Sequence, residues 1–156
     1  MRKPNKFWIH LACCFIPSRR LRHKLRRVEK HFEFIGKNNR VFIGDVEVFN
    51  PVRGIAINII GDNNIIKLPA GLKIHNSNIF INRVNNCCIS IAPTEKTLYC
   101  LNISACCGNN QKLTIGSNFQ CWGVGIQMNE ENASVEIGDD CLFSNSISIW
   151  PTDGHA

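Results

Sequence analysis

Short runs of alternating apolar and polar residues recur through most of the chain, and polar turn residues separate them. Eight triplets place an apolar residue on each side of a central residue, and the last members of the final six lie 11 or 12 residues apart. Alternation over three to five residues is typical of a strand with one buried face. The triplets occupy residues 72–74, 79–81, 89–91, 101–103, 113–115, 124–126, 135–137 and 147–149.

An Ile-Gly dipeptide returns before many of the polar turns. A glycine followed by Asn or Asp supplies the positive φ angle that a sharp corner needs. Strands this short are not stable alone, so stacked coils would have to bury a continuous column of Ile, Leu and Val. We therefore predict an all-β fold, a parallel β-solenoid, over residues 33–156. The dipeptide occurs in IGKNN (35–39), IGD (43–45), IGDNN (60–64), IGSN (115–118) and IGDD (137–140).

A sandwich of β-hairpins is the structural alternative, since it also has short strands at this spacing. Hairpins favour two-residue turns between longer alternating runs. The runs here are short and the repeated signature is Ile-Gly followed by polar residues, which favours the solenoid.

Charge divides the chain into two parts. Its 156 residues are 44% hydrophobic, typical of a single globular domain. Residues 1–31 hold ten Lys or Arg and one Glu, whereas the remaining residues hold eight basic and eleven acidic side chains. The net charge of +6 therefore belongs to an N-terminal arm, residues 1–32, and the solenoid is mildly acidic.

The arm combines an apolar run with a basic amphipathic segment. The run at residues 7–17 is too short to span a bilayer. Leu21, Leu25 and Val28 have helical spacing among six basic residues between Arg19 and Arg27, which predicts a short amphipathic helix. Such a helix suits an anionic membrane surface. A solvated helix packed on the solenoid end is the alternative, and nucleic acid is not expected because no base-reading motif is present. We expect a cytoplasmic protein, peripheral on the inner face of the membrane.

Nine cysteines include three adjacent pairs and no CxxC motif. Adjacent cysteines rarely form a disulfide with each other, and zinc sites favour wider spacing. We expect reduced cysteines that serve as small core residues, and no metal site.

Two segments carry a family resemblance: "VEIGDDCLFSNSISIWPTDGHA" (135–156) and, less strongly, "LTIGSNFQCWGVGIQMNEENA" (113–133). They resemble the left-handed β-helix acyltransferases built on hexapeptide repeats, among them sugar O-acetyltransferases of bacterial capsule and lipopolysaccharide pathways. The resemblance implies a left-handed coil, a homotrimer with active sites between neighbouring solenoids, acetyl-CoA as donor and a sugar or glycan as acceptor. The expected function is acetyl transfer to a sugar hydroxyl in surface polysaccharide biosynthesis.

The resemblance also implies site residues. In those enzymes an Asp-Gly-His turn presents the catalytic histidine, which makes His155 the candidate general base. Imidazole has a pKa near neutrality and can accept and return a proton. Asp153 is a candidate to orient the ring, or only shapes the turn. Asn129 and Glu131 are expected to reach the acceptor sugar, with a solvated polar loop as the alternative. Trp150 is expected to stack on a sugar or a neighbouring subunit, or to cap the strand column.

Other catalytic classes lack their motifs. The chain has no GxSxG nucleophile elbow, no P-loop and no GxGxxG. Related enzymes continue with further hexapeptide coils, so we expect a domain incomplete at its C-terminus. The chain is then part of an acetyltransferase, or alternatively a shortened, catalytically inactive solenoid that acts as a scaffold or glycan-binding module.

Overall fold

The computed structural model describes residues 32–152, and these residues form sixteen β-strands and no helix. In chain order the strands are β1 (Phe32–Ile35), β2 (Arg40–Ile43), β3 (Val46–Glu47), β4 (Ile55–Ile60), β5 (Ile65–Leu68), β6 (Lys73–His75), β7 (Ser77–Asn82), β8 (Cys88–Ile91), β9 (Thr97–Tyr99), β10 (Leu101–Cys106), β11 (Lys112–Ile115), β12 (Gln120–Cys121), β13 (Val124–Met128), β14 (Ser134–Ile137), β15 (Leu142–Phe143) and β16 (Ile147–Ile149).

The strands stack into three sheets. Sheet A has the order β1-β4-β7-β10-β13-β16, sheet B has β14-β11-β8-β5-β2-β3, and sheet C has β15-β12-β9-β6. Every pairing is parallel except the antiparallel pair β2–β3. The predicted fold is confirmed: the described residues form an all-β, parallel, left-handed β-helix of about five turns.

The interior is a set of apolar columns that run along the helix axis. In sheet A, Ile57, Ile79, Ile103 and Ile126 pair in register from coil to coil, and each is at most 1% exposed. Burial of one such side chain stabilises the fold by about 1.5–3 kcal/mol. The fold therefore rests on stacking, because no single coil could bury its own apolar face.

The corner between sheets A and B is lined by an asparagine from each coil. These asparagines have φ angles between 56° and 60°, a conformation that Asn tolerates better than most residues. Where the side-chain amides meet, each donates to the next: Asn38 to Asn63 at 3.0 Å, Asn86 to Asn110 at 3.0 Å, and Asn110 to Asn132 at 3.2 Å.

The corner between sheets B and C uses a similar ladder of hydrogen bonds. The Ser117 N–H donates to Asp139 Oδ1 at 2.6 Å, and this bond lowers the pKa of Asp139. The Asn118 side chain donates to Asp140 Oδ1 at 3.0 Å. Polar groups at the corners therefore form hydrogen bonds with the neighbouring coil.

The predicted basic arm lies outside the described residues, except that Phe32 begins β1. Residues 32–152 contain no helix long and apolar enough to cross a membrane.

All seven cysteines within residues 32–152 are free thiols. Burial raises the pKa of Cys87 to about 12 and that of Cys121 to about 11. The prediction of core cysteines is confirmed for these two, and Cys141 packs against the core. It is wrong for the other four described cysteines, which lie outside the core: Cys88, Cys100, Cys106 and Cys107.

Thiol labelling should separate these environments. We expect iodoacetamide at neutral pH to alkylate the exposed Cys107 in the folded protein while Cys87 and Cys121 stay unmodified, because the thiolate is the nucleophile and burial suppresses it. Peptide mass spectrometry reads each site separately. Unfolding in guanidinium should equalise the sites, and labelling of Cys87 as fast as Cys107 in the folded protein would contradict the assignment.

Candidate functional site

The candidate site is the last described corner between sheets A and B. Ile149 of β16 pairs with Ile126 of β13, so the chain continues through Trp150 and Thr152 beside the end of β13. The turn after β13, residues 129–133, forms the same corner one coil earlier. Two successive passes of the chain therefore meet at this edge.

A side-chain contact joins the two passes. The Thr152 hydroxyl donates to the Glu130 carboxylate, 22 residues earlier. A hydroxyl held by a carboxylate fixes the backbone that leads out of β16, because hydrogen bonds to charged groups are stronger than neutral ones.

Gln111, from the preceding coil, hydrogen-bonds to the turn after β13. Its Nε2 donates to the carbonyl oxygens of Glu130 at 3.0 Å and Cys107 at 2.8 Å. Gln111 is fully buried, and its Oε1 has no hydrogen-bond partner among the described residues. The side chain therefore clamps the Glu130 backbone at the cost of one unsatisfied acceptor.

The predicted substrate-binding residues lie around this corner. Asn129 is half-buried and Glu131 is exposed in the turn after β13. Trp150 is 58% exposed and follows β16 directly. The register places Thr152 at the level of Asn129, so the structure brings this part of the predicted set to one edge. Their role in binding a sugar stays a prediction.

The predicted catalytic residues, His155 and Asp153, lie outside the described residues. Of the residues that shape the corner, sequence reasoning missed Glu130, Thr152 and Gln111. Glu130 and Thr152 are 22 residues apart, one fewer than the paired Ile126 and Ile149, so no signal in the sequence spacing identifies the pair. No group of three or more His, Cys, Asp or Glu within residues 32–152 is placed to hold a metal ion.

Comparisons with protein-family models, with curated proteins and with solved structures found no significant match to this chain. The function is therefore inferred from the residues and the geometry of this corner.

Proposed function

We propose that the protein is an acyltransferase that moves an acetyl group from acetyl-CoA to a sugar hydroxyl during surface polysaccharide biosynthesis, with His155 as the general base. The observation that carries the proposal is the contact between Thr152 and Glu130. This hydrogen bond joins Thr152, which precedes the Asp-Gly-His sequence, to the turn that contains Asn129 and Glu131.

Chain connectivity supports the same location. His155 is three residues beyond Thr152. Three trans peptide units span at most about 11 Å between Cα atoms. In the proposed site, His155 reaches the corner over this short connection.

The reaction needs one proton to be taken and returned. The neutral imidazole of His155 accepts the proton of the sugar hydroxyl as the oxygen attacks the thioester carbonyl. A tetrahedral intermediate forms, and a backbone N–H donor stabilises its oxyanion. The C–S bond then breaks, and the imidazolium returns the proton to the CoA thiolate. The products are the O-acetyl sugar and free CoA.

The remaining site residues have supporting roles in this proposal. Asp153 orients the His155 ring or holds its charge. The amide of Asn129 and the carboxylate of Glu131 contact acceptor hydroxyls. Trp150 presents an exposed indole on which a sugar ring can stack.

A homotrimer is part of the proposal. Among the described residues, Glu33 is the one charged residue in the six strands of sheet A. A nearly uncharged flat face suits contact with another copy, since charged side chains are depleted at interface cores. A sedimentation mass equal to one chain would contradict this assembly.

The test of the proposed function is turnover. The full chain, incubated with acetyl-CoA and a panel of capsule and lipopolysaccharide glycans, should release free CoA and add acetyl to the glycan, read by a thiol reagent and by mass spectrometry. The competing function, an inactive scaffold or glycan-binding module, predicts glycan retention or a co-purifying partner with no CoA release at any protein concentration.

The basic arm is proposed to hold the protein on the inner face of the membrane. We expect exchange of the six basic residues between Arg19 and Arg27 for glutamine to weaken binding to anionic vesicles at least a hundredfold, since each charge near the surface contributes about 1 kcal/mol. Vesicle co-sedimentation measures it, with zwitterionic vesicles as control. Undiminished binding of the neutral variant would contradict the attachment.

A further inference from the structure

Three aromatic rings form a stack along the outside of sheet C, at its corner with sheet A. His75 and Tyr99 pair in register, with ring centroids 5.3 Å apart and an interplanar angle of 20°. Tyr99 and Trp122 continue the stack at 5.0 Å and 25°. The rings come from three successive coils, so the spacing of the β-helix holds them nearly parallel.

The stack ends at Trp122. Cys121 pairs with Phe143 in the next coil, and the Trp122 N–H donates to the Phe143 carbonyl oxygen, so Ser144 follows Trp122 on the outside. A serine side chain is too small to cover an indole, and Trp122 is 55% exposed. The ring therefore presents an open face at the end of a rigid aromatic column.

Uncharged hydrogen-bonding groups border this face. Asn145 is exposed, and its Oδ1 accepts the Ser146 N–H at 2.9 Å, which leaves its amide nitrogen to donate. An ideal Cβ built on Gly123 would lie 2.3 Å from Asn145 Oδ1, so the glycine lets the Asn145 amide come close to the backbone beside the indole.

The same character continues onto the outer face of sheet A. Asn78 pairs with Asn102 on this face, and the row continues through Gly125, which has no side chain, to Ser148 in the next coil. Each of these side chains can donate or accept a hydrogen bond without carrying charge.

We infer that Trp122 is a binding platform for a neutral pyranose of a glycan chain, separate from the acetyl-transfer corner. The C–H face of the sugar packs on the indole, as apolar groups do on aromatic faces, and its hydroxyls bond to Ser144 and Asn145. A nucleic acid would need a basic groove beside the stacking ring, and the groups that border Trp122 are uncharged.

The platform lies before the start of β16, whereas the acetyl-transfer corner lies beyond its end. The inference does not depend on acetyl transfer, because binding at Trp122 requires neither acetyl-CoA nor His155.

Isothermal titration of the full chain with three neutral oligosaccharides (maltohexaose, cellohexaose and chitohexaose) tests the inference. At least one should bind, and Trp122→Ala should lower its affinity about tenfold, the size of one lost aromatic contact. Trp122→Phe should keep most of the affinity. Ser144→Ile should also lower affinity about tenfold, because a branched side chain then covers the indole while its stack with Tyr99 remains.

Matched controls separate this site from other effects. Phe49 is 75% exposed and belongs to no aromatic stack among the described residues, so Phe49→Ala should bind as the native chain does. His155→Ala should also bind normally, which keeps this result distinct from a failure of the proposed activity. Absence of binding to all three sugars would overturn the inference. So would binding that Trp122→Ala and Ser144→Ile leave unchanged, or preferential binding of oligo-thymidylate.

Discussion

Replacement of His155 by alanine should reduce acetyl transfer to the sugar acceptor by about 10²–10⁴-fold, the usual contribution of a positioned general base. Without the imidazole no group takes the proton from the hydroxyl, and a neutral alcohol is a poor nucleophile toward a thioester. Release of free CoA and acetylation of the glycan measure the loss. An unchanged circular dichroism spectrum checks that the variant keeps the β-helix.

The matched control for this variant is His31→Ala, which removes a histidine from the basic arm and should leave turnover intact. Activity of the native chain should fall toward acid pH, since a protonated imidazole accepts no proton. An active His155→Ala protein with the same pH profile would assign the base to another residue. Turnover by neither protein would favour the scaffold or glycan-binding function.

Seven strands of sheets A and B could be predicted from the sequence because each carries one of the eight apolar–x–apolar triplets: β7, β8, β10, β11, β13, β14 and β16. The spacing of 11 or 12 residues between triplets is half a coil: residues 101–103 lie in β10 of sheet A and residues 113–115 in β11 of sheet B. The repeat of 11 or 12 residues is therefore the distance along the chain between a strand of one sheet and a strand of the other. The length of a full coil is seen only from the residues that pair between neighbouring coils. For example, Leu101 pairs with Val124, 23 residues further along the chain.

Most strands of sheet C could not be predicted. β12 and β15 have two residues and β9 has three, so there is too little alternation to see. In β9 the single inward residue is Leu98, which is fully buried between exposed or half-buried neighbours. One apolar residue between polar ones is indistinguishable from a loop until the coils are stacked.

The Ile-Gly dipeptide predicted corners but not which corner. Gly61 begins the turn from sheet A to sheet B, whereas Gly116 and Gly138 begin turns from sheet B to sheet C. In two later coils a residue other than glycine enters this turn with a positive φ angle: Arg83 at 58°, and Cys107 at 61° before Gly108 at 86°. Such insertions shift the register by one or two residues, which hides the coil length in the sequence.

The candidate site shows the same division. Asn129, Glu131 and Trp150 could be selected from the family resemblance. The Glu130–Thr152 contact and the aromatic stack could not, because each depends on side chains one coil apart. The partner of a given residue is fixed by the register, and coils of unequal length make that register unpredictable from spacing alone.

Substitution of Gly61 by alanine should destabilise the protein by about 3–5 kcal/mol, at the severe end of single-residue effects. Gly61 has a φ angle of 135°, and a Cβ atom there would lie 1.9 Å from the Val84 carbonyl oxygen of the next coil. That atom is backbone and cannot rotate away. To admit the methyl group these two coils must separate, which breaks the hydrogen bonds from Val84 N to Ile60 O at 3.3 Å and from Asn64 Nδ2 to Val84 O at 2.9 Å. The midpoint of urea unfolding, followed by circular dichroism, measures the loss.

Two other glycines separate the contribution of backbone strain from that of the steric clash. Gly71 has a φ angle of 71° but open space around an added Cβ, so Gly71→Ala should cost only the backbone strain, about 1–2 kcal/mol. Gly138 has no positive φ angle and no neighbour within 4 Å, so Gly138→Ala should change stability by less than about 0.5 kcal/mol. The loss of stability should therefore increase from Gly138→Ala to Gly71→Ala to Gly61→Ala. The large effect at Gly61 is expected because the stacked coils are in contact at the corner between sheets A and B. Equal stability of Gly61→Ala and Gly138→Ala would mean that the coils do not approach each other there.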